Sequence, residues 1–188
     1  MRCASTRRSA ARDRARAIIE REELASPKFG YRILPGIESA RLPQLAEGQS
    51  AVAAAVCTLG SALEARVSAL FHGGERLLAL ELDHAGNELL YRFGDELLGA
   101  IGREARRRGL RAGDARSPGD PGLSLAHQRA VLSLASAGDC GVTASAGGMV
   151  APVKSLSYVV PLGAALVRTA ARPCARCPSR DRCPSVAA

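Results

Sequence analysis

The sequence contains no tryptophan, three tyrosines and three phenylalanines. Proteins that hold single-stranded nucleic acid stack bases on aromatic rings, so this scarcity argues against such a partner. Lysine is nearly missing too. Lys28 and Lys154 are the two lysines among 26 basic residues, and the arginine excess, with abundant alanine, reads as a GC-rich codon bias rather than selection for phosphate contacts. No apolar run approaches the roughly 18–20 residues of a membrane-spanning helix, so no membrane partner is expected. The N-terminal arginines are followed by no apolar stretch, which leaves both a secretory and a twin-arginine signal incomplete and makes the cytoplasm the expected location. There is no phosphate loop and no Gly-x-Gly-x-x-Gly after a strand. Thr143-Ala144-Ser145-Ala146-Gly147 has Thr where a nucleophile elbow needs its first Gly, which disfavours a serine hydrolase.

What is present is an ordinary globular composition, 47% apolar, in a chain of 188 residues. That length supports one domain with a genuine core plus tails. The net charge of +8 is uneven. Residues 1–27 hold seven arginines against Asp13, Glu20, Glu22 and Glu23, and residues 166–188 hold five against Asp181. The body between them is nearly neutral. The expected organisation is a basic, partly helical extension over 1–27, a domain over 28–165, and a cysteine-containing tail over 166–188.

Residues 1 to about 11 are expected to lack fixed structure, and Arg12–Leu24 to form a charged helix with Ile18, Ile19 and Leu24 as a thin apolar edge, ended by Pro27. Phe29–Leu34 suits a short strand before Pro35-Gly36. The run Ala51–Leu59 is short and wholly apolar apart from Thr58, which predicts a buried central strand. Ser61 and Glu64 have capping-box spacing ahead of a helix over Ala62–Phe71, whose Leu63, Val67, Leu70 and Phe71 share a face. Glu75–Arg108 reads as one long helix, or as two with a kink near Gly86–Gly94, stopped by Arg106-Arg107-Arg108-Gly109. Ser124 can cap a helix over Leu125–Ser136 that packs through Ala126, Ala130, Leu132 and Leu134. Val142–Ser145 and Lys154–Val160 read as strands. The fold class is therefore α+β, with a curved, mainly antiparallel sheet flanked by helices.

Two small-residue loops flank the helix after Ser124: Arg116-Ser117-Pro118-Gly119-Asp120-Pro121-Gly122-Leu123 before it, and the return Val142–Ser157 after it. Gly and Pro in such loops let a ligand approach the backbone. These segments, with Met149, Pro152 and Lys154-Ser155-Leu156-Ser157, resemble the activation domain of cobalamin-dependent methionine synthase in its stand-alone form. Thr58-Leu59-Gly60-Ser61-Ala62-Leu63-Glu64 resembles that family's Thr-Ile-Gly-x-x-Leu-Glu segment, and Leu82-Asp83-His84-Ala85-Gly86 falls where the family has an Asp-containing apolar helix. The likeness covers about residues 30–165.

The resemblance implies a domain that binds S-adenosylmethionine and presents its methyl group to cobalamin carried by a partner, a methyltransferase subunit or corrinoid protein. The partner's cobalt(II) is returned to the reactive state with an electron from a flavodoxin-like or ferredoxin-like donor. The protein's work is then orientation, with no general acid or base. The ligand-binding set the resemblance implies is Arg116, Ser117, Pro118, Gly119, Asp120, Thr143, Ser145 and Lys154. The family has Arg three places before its Pro; here that place is Ala115, and Arg116 comes one place later. Asp120 stands at the family's Tyr and Ala144 at its Glu. Arg116 would pair with the ligand carboxylate, or remain a solvated loop arginine. Lys154 is either a functional amine or an ordinary surface lysine.

The tail contains Cys174-Ala175-Arg176-Cys177 and, six residues on, Cys183-Pro184. Cys-x-x-Cys is a chelating spacing, and in the cytoplasm metal or redox chemistry is favoured over a disulfide. An iron–sulfur cluster is the first reading, with Cys140 completing Cys174, Cys177 and Cys183 as ligands; zinc is the alternative. Asp83-His84-Ala85-Gly86 has the wrong spacing to ligate cobalt itself. Two functions from different classes are consistent with the sequence: an activation subunit of a corrinoid methyltransferase, or a non-catalytic adaptor or electron-relay module that has lost the ligand.

Overall fold

In the computed structural model, which describes residues 2–36 and 38–169, the elements run in the order α1 (Arg2–Arg21), β1 (Lys28–Pro35), β2 (Ala51–Thr58), α2 (Ala62–His72), α3 (Arg76–Arg107), β3 (Arg111–Ala112), α4 (Gln128–Leu134), β4 (Thr143–Ala144), β5 (Val150–Ala151) and β6 (Ser155–Gly163). Four strands form an antiparallel sheet in the order β1-β2-β6-β3, and β4 and β5 form a separate hairpin. The α+β expectation holds, and so does the central position of β2, whose eight residues are all buried. No helix among the described residues is long and apolar enough to cross a membrane.

The pleat of β2 sends alternate residues to two cores. Val52, Ala54 and Val56 join Val131, Leu132 and Leu134 of α4 on one face. Ala51, Ala53, Ala55 and Cys57 meet Leu90, Leu97 and Ile101 of α3 on the other. The second face is built from small side chains, which leaves room for the larger α3 residues. Burial pushes the Cys57 thiol up to about 11, so it packs as a small apolar group and not as a nucleophile.

The long apolar segment is a single helix of 32 residues. Its glycines do not divide it; they admit neighbours. A Cβ at Gly86 would lie 2.8 Å from Leu63 Cδ2, and one at Gly94 would lie 2.7 Å from the Tyr158 hydroxyl oxygen. Ahead of α2 the capping box is not formed. Ser61 makes no side-chain cap bond, and Glu64 Oε2 instead accepts the Val153 N–H at 2.6 Å. Leu63, Val67 and Leu70 are buried as expected, whereas Phe71 is 42% exposed. The segment after Ser124 is split: Ser124 caps a 3-10 turn, Leu125–His127, and α4 comes after it. Its packing residues are Val131, Leu132 and Leu134, while Ala126 is exposed within the 3-10 turn.

The N-terminal segment departs most from the sequence reading. Residues 2–11 are helical and continuous with residues 12–21, and α1 ends at Arg21, short of Pro27. Ala15 and Ile18 are buried against Leu63, Val67, Leu70, Leu78 and Leu82. Charge supplements this narrow contact. Arg8 Nε reaches Glu81 Oε1 at 2.7 Å and Arg12 Nε reaches Oε2 at 3.3 Å, while Arg14 pairs with Glu75 and Arg16 with Glu88. The arginines that looked like a solvated tail are matched to glutamates at the start of α3 and along it.

Glu81 is buried, which by itself would raise its pKa, but hydrogen bonds from Arg8 and Arg12 and their charges hold it below the ordinary value of 4.5. A lowered carboxylate pKa contributes stability above the unfolded value, and that stability is lost as pH falls through the folded value. Acidification below about pH 4.5 should therefore loosen α1, seen as earlier protease cleavage within residues 7–21. Glu81→Gln should cost about 1–2 kcal/mol at neutral pH in denaturant melts, less than a fully buried pair because both arginines remain partly solvated. Gly86→Ala should lower stability by about 1 kcal/mol, the crowding against fully buried Leu63 outweighing the gain in helix propensity.

Candidate functional site

β6 has strand neighbours along only part of its outer side. β3 pairs with it at Leu162 and Gly163, and Arg116 forms a single bridge with Val159, so among the described residues Ser155–Tyr158 has no strand on that side. α3 runs alongside this stretch, with Gly86 beside Lys154 and Gly94 beside Leu156 and Tyr158. Burial, with Cys57, Asp95, Tyr91 and Asp120 in electrostatic range, pushes the Tyr158 hydroxyl above the ordinary phenol range. The Tyr158 ring thus lies against α3 at Gly94.

The loop after Arg116 is closed by its own hydrogen bonds. Asp120 Oδ2 accepts the Ser117 N–H at 2.7 Å, the Asp120 N–H reaches Ser117 O at 2.9 Å, and the Gly119 N–H reaches Leu123 O at 2.8 Å. Gly119 and Gly122 lie at φ +105° and +85°, where a side chain would be strained, and fully buried Leu123 roots the loop in the core. Asp120 is therefore a turn-forming residue. Arg116 donates from Nη1 to Pro121 O at 2.9 Å, and among the described residues no carboxylate pairs with its guanidinium. Its other N–H donors remain available to an anionic ligand group. Ser117 and Pro118 are half-buried within the same loop.

Thr143 and Ser145 lie on the β4–β5 hairpin, both exposed. Thr143 is opposite Ala151, and Ser145 Oγ accepts the Met149 N–H at 3.1 Å. The hairpin turn rests on the 3-10 segment, where a Cβ on Gly148 would lie 2.9 Å from Leu125 Cγ. Leu125 and Met149 are both exposed, which gives this end an apolar surface.

Lys154 is not a surface lysine. It is 3% exposed, and its Nζ donates to Asp83 Oδ1 and to Asn87 Oδ1, each at 2.6 Å. Its amine thus faces α3. Beneath the hairpin a buried polar row is fully partnered: Ser155 Oγ donates to Thr58 Oγ1 at 2.8 Å, and Gln128 Nε2 to Ser157 Oγ at 2.9 Å. That Asp83 and Asn87 hold the Lys154 amine was not anticipated from the sequence. The i, i+4 spacing of 83 and 87 was the available signal, but it reads equally well as a solvated helix face.

Cys174, Cys177 and Cys183 lie outside the described residues. Cys140 is buried beneath β1, its Sγ 3.6 Å from where a Gly30 Cβ would be, and burial together with Asp139 raises its pKa. Thr169, the last described residue, is tied to Asp114: its N–H donates to Asp114 Oδ1 at 2.8 Å, and its hydroxyl bonds the other carboxylate oxygen. Among the described residues no group of three or more His, Cys, Asp or Glu could hold a metal ion.

No protein-family model and no curated protein sequence matches the chain. Its fold is similar to a crystal structure of the MetH reactivation domain bound to AdoHcy, with a TM-score of 0.56 and 11% identity. The match covers 85% of this chain and 65% of that one, so the chain spans less than two thirds of that domain's length. At this identity the likeness is one of fold, and it is the fold that the sequence motifs anticipated.

Proposed function

We propose that the chain is an activation module for a cobalamin-dependent methyltransferase, methionine synthase or a related corrinoid enzyme, that binds S-adenosylmethionine and presents its methyl group to a partner. The observation that carries this reading is Arg116: the strand bridge to Val159 fixes its backbone, and among the described residues no carboxylate takes its guanidinium, which stands beside a glycine loop held rigid by its own hydrogen bonds. A planar cation of that kind suits the ligand carboxylate. The similarity to a reactivation domain whose crystal structure contains AdoHcy supports the same ligand class.

The residues divide the work of orientation. Ser117, Pro118 and Gly119 supply a rigid backbone rim held by Asp120, and Thr143 and Ser145 supply an exposed hairpin strand. Bound there, S-adenosylmethionine supplies the methyl group that passes to reduced cobalt on the partner and leaves as S-adenosylhomocysteine. A flavodoxin-like or ferredoxin-like protein supplies the electron, and the cytoplasm is the compartment where these partners meet. The tail cysteines Cys174, Cys177 and Cys183 would serve as ligands of an iron–sulfur cluster, or of zinc.

Isothermal calorimetry of the full chain with S-adenosylmethionine tests the proposal. Micromolar binding that weakens about tenfold or more in Arg116→Ala, the loss of a charge-assisted pair, is the expected result. No heat at millimolar ligand overturns it and favours the adaptor reading.

A further inference from the structure

We propose that Lys154 is a positioning residue, a buried latch that fixes the β4–β5 hairpin relative to α3 and so presets the ligand face; the second half of this statement rests on the function proposed above. The turn leading from the hairpin into β6 is held on every side. Lys154 Nζ donates to Asp83 Oδ1 and Asn87 Oδ1 at 2.6 Å each, and Asn87 Nδ2 donates to Asp83 Oδ2 at 3.3 Å, which closes a three-membered ring of polar side chains. The Lys154 carbonyl accepts the Leu59 N–H at 2.9 Å and the Thr58 hydroxyl at 3.3 Å. One residue earlier, the Val153 N–H is taken by Glu64 of α2 at 2.6 Å. Ser155 Oγ, whose one proton goes to Thr58 Oγ1, also lies 2.7 Å from Pro152 O.

Two features mark this as a built arrangement. Lys154 is 3% exposed in a chain whose other cations are, with Lys28, all arginine, so the site uses a compact ammonium on a slender stem. That stem passes α3 at Gly86, where a Cβ would stand 3.4 Å from Lys154 Cε.

Apart from the latch, the hairpin is held by its two-pair ladder, Thr143 with Ala151 and Ala144 with Val150, by Val142, Ala144 and Val150 packing on the α4 core, and by its tip at Leu125. With the latch closed, Thr143 and Ser145 are held in one place before any ligand arrives, and preorganisation of that kind raises affinity without adding a contact.

Lys154→Met keeps the length of the stem and removes the charge and the donors. In hydrogen-exchange measurements on the full chain, the Ser145, Gly148 and Met149 amides should exchange about tenfold faster in this variant, while β2 amides stay protected. S-adenosylmethionine affinity, read by calorimetry, should fall about tenfold. Glu64→Ala, at the outer anchor, should also speed hairpin exchange and covers the case in which Lys154→Met fails to fold. Unchanged hairpin exchange in these variants overturns the latch, and faster exchange with unchanged affinity overturns its link to the ligand face. Should the wild-type chain take up no S-adenosylmethionine, the functional reading fails, while the exchange experiment still decides the latch.

Discussion

Everything in this fold is fitted around the burial of β2. Its eight residues are enclosed on both faces, and between strands on both edges, so their backbone groups must be satisfied by β1 and β6 and their side chains by two separate layers. The alanines at 51, 53 and 55 let α3 lie where it does, and the position of α3 then decides what faces β6. From that single packing constraint come the meeting of Gly86 with Lys154 and of Gly94 with Tyr158.

Much of the frame was legible because the relevant signals were local. A nine-residue apolar run, a Gly-Pro-rich loop and a long segment of helical apolar spacing each have few competing solutions. The failures involve distant partners. Nothing near Arg8 or Arg12 in sequence reveals that Glu81 will be buried beneath them, so the start of the N-terminal helix read as a disordered basic tail. Glu64 was assigned to a cap three residues away and instead serves Val153 across the fold. Lys154 shows the same limit: composition marked it as unusual, but its burial depends on a helix some seventy residues earlier.

The candidate site was legible as a pair of loops and not as a set of contacts. Asp120, placed in the ligand set by resemblance, carries out a turn-forming role within its own loop, and Arg116 keeps its unpaired donors one position along from where the family has them. Tyr158 of β6 and Tyr91 of α3 had no motif to announce them. They become visible once the single bridge at Val159 shows where the sheet is open.

The Asp114–Thr169 contact has a consequence for the end of the chain. Asp114 lies two residues before Arg116, so two hydrogen bonds from Thr169 tie the last described residue to the segment that leads into the Arg116 loop and close residues 114–169 into one ring of chain.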